Sequence, residues 1–310
     1  MDEKEQEKNN PNQVSGKEKF NFEKFHDKYY KLLLIIPLIL ILISLFYISY
    51  TYSKIGDFIY KDVSLSGGTT ITIQGDVDQS IIEKALAEKF EGISITRLTD
   101  LRTGEQVGLI IESSSSVEEL RLELEKILGY KLTDENSSIE FTGSTLSDDF
   151  YKQLITALLI SFILMSIVIF ILFRTFVPSV AVIFAVFADI VMPLALLNYL
   201  EFKISAAGIA AFLMLVGYSV DTDILLTSRV LKNQQGSLNH RIYRSFKTGM
   251  LMTLTALAAV LPAFFFVTGL PDSFRQIFLI LALGLLADIL NTWITNVGII
   301  KWYCKKKGIA

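Results

Sequence analysis

Apolar side chains gather in six runs along the chain, at residues 32–50, 153–173, 178–199, 204–226, 248–270 and 277–299. A helix of about 20 apolar residues crosses the ~30 Å hydrocarbon core of a bilayer, so each run predicts a transmembrane helix. The first run exceeds the about 7–15 residues of a secretory signal core, and no Ala-x-Ala-like site follows it. It therefore predicts an uncleaved anchor. The links between the second and third runs, the third and fourth, and the fifth and sixth are only a few residues long. Those helices must be antiparallel neighbours.

Between the first and second runs the period changes. Short β-rich stretches at residues 70–74, 93–98, 106–112 and 138–142 alternate with amphipathic helical stretches at 79–90 and 117–128. Two β-α-β units in succession predict a small α+β domain of the ferredoxin-like, split β-α-β kind, spanning residues 51–150. The serine run at 113–116 suits a helix entry, because hydroxyl oxygens accept from the free N–H groups of a first turn. The expected architecture is a polytopic α-helical membrane protein of six transmembrane helices, with that domain between helices one and two and a five-helix bundle over 151–300.

Charge sets the expected orientation. The link after the fourth run carries Arg229, Lys232, Arg241, Arg244 and Lys247, and the last ten residues, 301–310, carry Lys301, Lys305, Lys306 and Lys307. Neither stretch has an acid interspersed, whereas Glu201 with Lys203 and Asp272 with Arg275 are balanced pairs on the other side. Lysine and arginine concentrate in cytoplasmic loops. Both termini are thus expected in the cytoplasm, with residues 51–150 extracytoplasmic and the chain in the plasma membrane. Residues 1–19 are polar and predict a disordered tail. Phe20, Phe22, Phe25, Tyr29 and Tyr30 predict an interfacial, lipid-contacting segment that completes the cytoplasmic stretch 1–31.

Composition narrows the chemistry. Of the 310 residues 51% are hydrophobic, and the net charge of −3 argues against a nucleic-acid partner. The two histidines, His26 and His240, lie outside the spans. No enzyme constellation, metal-ligand spacing or cofactor motif is present. The single cysteine, Cys304, cannot form an intrachain disulfide; it is either a free interfacial thiol or a palmitoylation site.

The strongest functional signal is acid inside the membrane. An aspartate at a helix centre costs about 2.5–3.5 kcal/mol on the insertion scale. Asp189, Asp221, Asp223 and Asp288 all fall within spans. Asp221 is two residues deeper than Asp223, and a two-residue step is about 200° of helix, so the two are not expected to face one site. Asp288 is followed by Asn291, Thr292 and Thr295 at steps that share a helical face. Such a stripe is either interhelical hydrogen-bonding glue or a proton path. Thr248, Met252 and Thr255 form a similar stripe in the fifth run, with Thr253 offset. Gly208, Ala211 and Gly217 permit close helix approach, and Pro178, Pro193 and Pro262 start or kink helices. The glycine pair Gly67–Gly68 before Thr69 reads as a tight turn into a strand.

Four of these segments, taken together, resemble the SecF family of protein-export subunits, within the resistance-nodulation-division superfamily. They are Leu65-Ser66-Gly67-Gly68-Thr69, Gly217-Tyr218-Ser219-Val220-Asp221-Thr222-Asp223 with Arg229, Lys247-Thr248-Gly249-Met250 with Thr253 and Thr255, and Ala287-Asp288-Ile289-Leu290-Asn291-Thr292-Trp293. The resemblance covers about residues 30–303. It departs from bacterial members, where Asn-Asp follows the Gly-Tyr-Ser-x motif. An ungapped match puts Thr222 at that aspartate, with an acid on either side. As the deeper of the two acids, Asp221 is preferred over Asp223 as proton carrier, beside Asp288, Asp189, Asn291, Thr292 and Arg229.

The resemblance implies pairing with a SecD-like subunit, association with a SecY-type channel, an exported polypeptide as substrate, and export helped by the proton-motive force. It implies no cofactor and no enzymatic activity. The alternatives are a non-coupling scaffold of the translocation machinery, or a small-molecule or lipid exporter of the same superfamily.

Overall fold

The computed structural model describes residues 32–90, 93–99, 103, 105–232, 236–266 and 272–309. The polar tail and aromatic anchors expected over 1–31 lie outside them. Among the described residues, six helices are long and apolar enough to cross a membrane. They are α1 (Ile35–Ile55), α5 (Ser144–Phe173), α6 (Phe176–Tyr199), α7 (Ala206–Lys232), α8 (Leu238–Phe266) and a last helix with three parts. Those parts are α9 (Asp272–Leu290), a π-helical turn (Asn291–Asn296) and α10 (Val297–Lys307).

Several helices run past their apolar runs. Helix α8 begins ten residues before the expected start at 248, so Arg241, Arg244 and Lys247 sit on its first turns rather than in a loop. A polar extension is stable there because Arg241 finds carbonyl acceptors. Its guanidinium donates to Val230 O at 2.8 Å and Ile309 O at 3.1 Å. The expected basic tail at 301–310 likewise continues the last helix as far as Lys307. Helices α6, α7 and α9 form the interior of the bundle, and α5 lies largely on its outside. Close packing uses glycine: a Cβ on Gly284 would lie 2.3 Å from Leu215, and one on Gly249 would lie 2.4 Å from the Trp293 ring.

Between α1 and α5 stands a four-stranded antiparallel sheet of order β2-β3-β1-β4. Its strands are β1 (Gly68–Gln74), β2 (Ser94–Thr99), β3 (Gln106–Ser113) and β4 (Ser137–Thr142). With α2 (Val63–Ser66) before β1, α3 (Gln79–Ala87) after it and α4 (Val117–Leu128) after β3, this is the ferredoxin-like split β-α-β arrangement. The register sets Ile71 opposite both Ile111 and Ile139. Alternation then turns Ile71, Ile73, Leu109 and Ile111 to one face, where they pack on Ile82 and Leu86 of α3 and Leu120 and Leu124 of α4. Each fully buried side chain of this kind contributes about 1.5–3 kcal/mol. Asp78 caps α3 by accepting from Ser80 N at 2.9 Å. Ser116, the last of the serine run, caps α4 through Glu119 N.

The domain is stitched to the bundle at its base. Gly67 has φ 81°, and a Cβ there would lie 2.6 Å from Ser144 Cα. At Gly68 a Cβ would lie 2.3 Å from Ser113 O. The glycine pair is thus where strand, sheet edge and the start of α5 cross too closely for any side chain. Thr69 Oγ1 secures the same corner by donating to Ser115 O at 2.7 Å. The segment between α1 and α2 meets the link between α6 and α7 through Ile204 N to Tyr60 O at 2.7 Å and Asp62 N to Ile204 O at 3.0 Å. Gln276 of α9 joins them, accepting from Ser205 N at 2.9 Å and donating to Lys203 O at 2.8 Å. Asp57 accepts from Tyr151 Oη at 2.7 Å and pairs with Lys61 Nζ at 2.8 Å.

Candidate functional site

Three of the four intramembrane aspartates meet at the centre of the bundle. Asp189 of α6, Asp223 of α7 and Asp288 of α9 are fully buried. On α7, Ser219, Thr222 and Asp223 follow at steps of three and four residues, which places them on one face. All three are buried. Asp221, between them in sequence, is exposed on the outer side of the same helix. The structure therefore separates the preferred Asp221 from the buried cluster. Depth along the helix favours it, but rotation about the helix takes it out of the cluster, and Asp223 lies inside.

The last span delivers its polar residues through the π turn. Asn291, Thr292, Thr295 and Asn296 are all buried there. A π turn has i→i+5 bonding and more residues per turn than an α-helix. Asn296 and Thr292, four residues apart, both donate to Asp223 Oδ1, at 2.6 Å and 3.0 Å. Asn296 is absent from the expected stripe although it stands four residues after Thr292, a spacing that puts the two on one helical face. Thr295, which the expected stripe includes, is buried with its hydroxyl unpartnered among the described residues.

The geometry links the carboxyls through hydroxyls. Ser219 Oγ donates to Asp189 Oδ2 and lies 3.4 Å from Asp288 Oδ1. Thr292 Oγ1 lies 2.9 Å from Asp288 Oδ1 and 3.0 Å from Asp223 Oδ1. The order is therefore Asp189, Ser219, Asp288, Thr292, Asp223, with each hydroxyl shared between two carboxyls. A hydroxyl has one proton and two lone pairs, so it can accept from one acid while donating to the next. Thr222 Oγ1 donates to Asp288 Oδ1 at 2.9 Å, Thr253 Oγ1 reaches Asp288 Oδ2 at 3.3 Å, and Asn291 Nδ2 donates to Asp189 Oδ1 at 2.7 Å. No lysine, arginine or histidine hydrogen-bonds these three acids among the described residues. Nor does any group of three or more His, Cys, Asp or Glu side chains there stand in metal-holding positions.

Other expected site residues lie elsewhere. Arg229 is at the far end of α7, where its guanidinium donates to Thr248 Oγ1 at 2.9 Å and Arg244 O at 3.3 Å. Gly217 and Tyr218 share the exposed face with Asp221. Gly67, Gly68 and Thr69 shape the base of the domain. The expected fifth-span stripe is also corrected. Thr255 and Met252 point outward, while the offset Thr253 is buried and reaches Asp288. Cys304 is buried in a cluster with Leu226 and Val230 of α7 and Leu238 of α8 rather than presented at an interface.

Comparison with known proteins adds four findings. Residues 125–306 match the family described as Protein export membrane protein SecD/SecF, C-terminal. The chain is 35% identical over 279 residues to the protein-export membrane protein SecF of Methanolacinia petrolearia, covering 90% of this chain and 95% of that one. It is 34% identical over 287 residues to the SecF of Pyrococcus furiosus, covering 89% and 92%. In fold it is similar to the crystal structure of SecDF, a translocon-associated membrane protein from Thermus thermophilus, with a TM-score of 0.67 at 19% identity. That likeness covers 92% of this chain but 38% of the longer SecDF chain.

Proposed function

This chain belongs to the SecF family of protein-export membrane proteins, and from that premise we propose that it couples the proton-motive force to export in partnership with a SecD-like subunit. The family makes it a multi-pass membrane protein with an accessory role in protein export. The finer reading rests on the carboxyl–hydroxyl chain from Asp189 to Asp223. Buried acids without a basic partner are costly in the membrane and mark ion pathways. Here two hydroxyls bridge three acids, which is the arrangement a proton relay requires.

A proton arriving at Asp288 changes which of Ser219, Thr222, Thr253 and Thr292 donate and which accept. These groups belong to α7, α8 and the last span, so a change of protonation favours one packing of those helices over another. The segment leading into the ferredoxin-like domain is bonded to the link between α6 and α7 through Ile204 and Ala206, and that link is bonded to α9 through Ser205 and Gln276, so a helix shift reaches it. We place the basic end of the bundle, with Arg229, Arg241, Arg244 and Lys305 to Lys307, in the cytoplasm and the domain outside. A membrane potential of about 100 mV then supplies ~2.3 kcal/mol per charge moved. The substrate is an exported polypeptide delivered through a SecY-type channel.

The test is translocation by the purified complex in liposomes, with and without a proton gradient, comparing wild type with Asp288→Asn. Coupling predicts an assembled complex that has lost gradient stimulation. Normal gradient-driven export by the variant would show the acids to be structural and the chain a scaffold.

A further inference from the structure

On the flank of the bundle a groove of about 490 Å³ runs between α8 and the last span. Ile289, Leu290, Trp293 and Val297 of the last span line it against Phe246 and Met250 of α8. Leu286 stands at one end, and Lys301 with Asn239 at the other. From Leu286 to Lys301 the helix advances about 20 Å. Half of the ~30 Å hydrocarbon core is about 15 Å, so the groove reaches from the middle of the bilayer to one interface. Leu286 and Tyr243 in its walls are 53% and 49% exposed, so it opens sideways off the bundle rather than into it.

The two ends differ in chemistry. The deep end, at Leu286, Ile289 and Met250, is apolar throughout. The shallow end carries the amide of Asn239, the phenol of Tyr243 and the ammonium of Lys301, with Lys305 one turn further on the same helix. Residues 238–266 and 289–310 contain no Asp or Glu, so the cations of both walls stand without an acid on either helix face. The floor of the groove is also the back of the acid cluster. Trp293 follows Thr292, whose hydroxyl lies between Asp288 and Asp223, and its ring stands edge-on to Phe246 at 5.1 Å between centroids.

We propose that this groove binds an anionic phospholipid of the leaflet on the basic side of the bundle, with a hydrocarbon chain along Trp293 and Met250 and the phosphate headgroup at Lys301 and Asn239. Charge complementarity selects this occupant. Basic pockets between membrane helices hold anionic headgroups, and here the basic end is also the interfacial end. Size agrees. Spread over its length, the volume leaves a slot a few ångströms across, room for a hydrocarbon chain and not for a helix about 10–12 Å thick. A bound chain packs behind the turn that carries Thr292, so its presence bears on the packing of the last span against α7. The site stands independently of proton coupling.

Trp293 supplies the reporter, because Trp302 is the other of the two tryptophans in the chain. The full chain carrying Trp302→Phe is reconstituted in vesicles of phosphatidylcholine and phosphatidylglycerol, with bromine on the acyl chains of one lipid or the other. Brominated phosphatidylglycerol is expected to quench Trp293 at about fivefold lower mole fraction than brominated phosphatidylcholine, the weight of one cation beside an anionic headgroup. Lys301→Gln should bring the two lipids level, Lys301→Arg should keep the preference, and Ile294→Phe, which narrows the slot, should weaken quenching by both. Raising salt should shrink the preference in the Trp302→Phe chain itself, a readout that does not depend on how the other variants fold. Equal quenching by the two lipids overturns the site. A preference that survives both Lys301→Gln and high salt overturns the placement of the headgroup. A preference that appears only once residues 1–31 are removed assigns the groove to the chain's own N-terminal segment and overturns the lipid site. Quenching needs no partner subunit, so each of these failures leaves the export reading as it was.

Discussion

The two interiors of this protein are built on opposite terms. Under the sheet, Ile71, Ile73, Ile82, Leu86, Leu109, Ile111, Leu120 and Leu124 are buried together without a polar atom among their side chains. At the centre of the bundle, Asp189, Ser219, Thr222, Asp223, Asp288, Asn291, Thr292 and Asn296 are buried together. The first interior holds one packing through burial alone. The second loses stability relative to an apolar filling, since a buried ionisable group is costly and a leucine would be accepted there. Under the proposed coupling, what it gains is a packing that depends on where protons reside. On that reading, a rigid module attached to a switchable one is a suitable layout for turning ion movement into motion of the domain.

Substitutions at the two centres should therefore separate stability from activity. The largest effect is expected at Asp288, which four hydroxyls approach. Asp288→Asn should lower gradient-driven export by about tenfold or more, the equivalent of ~1.4 kcal/mol in a barrier, while the purified complex melts no earlier. In the domain, Leu120→Ala should do the reverse. It should destabilise the domain by about 2–5 kcal/mol in denaturant unfolding and leave insertion of the six helices unchanged. Equal loss of stability at both positions would erase the distinction.

Smaller changes sharpen the contrast. Thr292→Val keeps the shape of the side chain and removes the hydroxyl between Asp223 and Asp288. A net hydrogen bond is worth about 0.5–1.5 kcal/mol, so the gradient-driven rate should drop about two- to tenfold. An unchanged rate would show that the route between those acids does not pass through Thr292. Thr255→Val, on the outside of the same bundle, should have no effect on that rate in an assembled complex.

The smallest effect concerns the joint between the two regions. Burial alone would push the Asp57 carboxyl up. Hydrogen bonds from Lys61, Tyr151 and the Phe58 backbone outweigh it and hold the group below its ordinary value. A carboxyl lowered on folding stabilises the fold above its unfolded value, and that contribution is lost as pH falls through the folded value. Acidification below the ordinary carboxylate range should thus loosen the tether before the domain unfolds, as read by proteolysis within residues 56–67. Asp57→Asn should remove that pH step.

Much of the fold was legible in the chain because both environments impose a strong pattern. Runs of apolar residues announce membrane helices whatever their neighbours are. The alternation through Thr70, Ile71, Thr72 and Ile73 announces a strand with one buried face. Helix ends were less legible. Arg241 and Lys301 look like loop residues by composition, yet both are buried on helices. Tertiary contacts such as those of the guanidinium with Val230 and Ile309 make the Arg241 position tolerable.

The site divides along the same line. The sequence by itself determined that acids lie inside spans and that Asp288, Asn291 and Thr292 share a face, because charge in an apolar run and helical periodicity are local properties. Only the tertiary structure decided which acids meet. It turned Asp223 inward and Asp221 outward, brought Asn296 of the last span against Asp223, and set Ser219 and Thr292 between pairs of carboxyls. Rotation about a helix axis and contact across helices depend on packing with partners distant in the chain, and no local pattern carries that information.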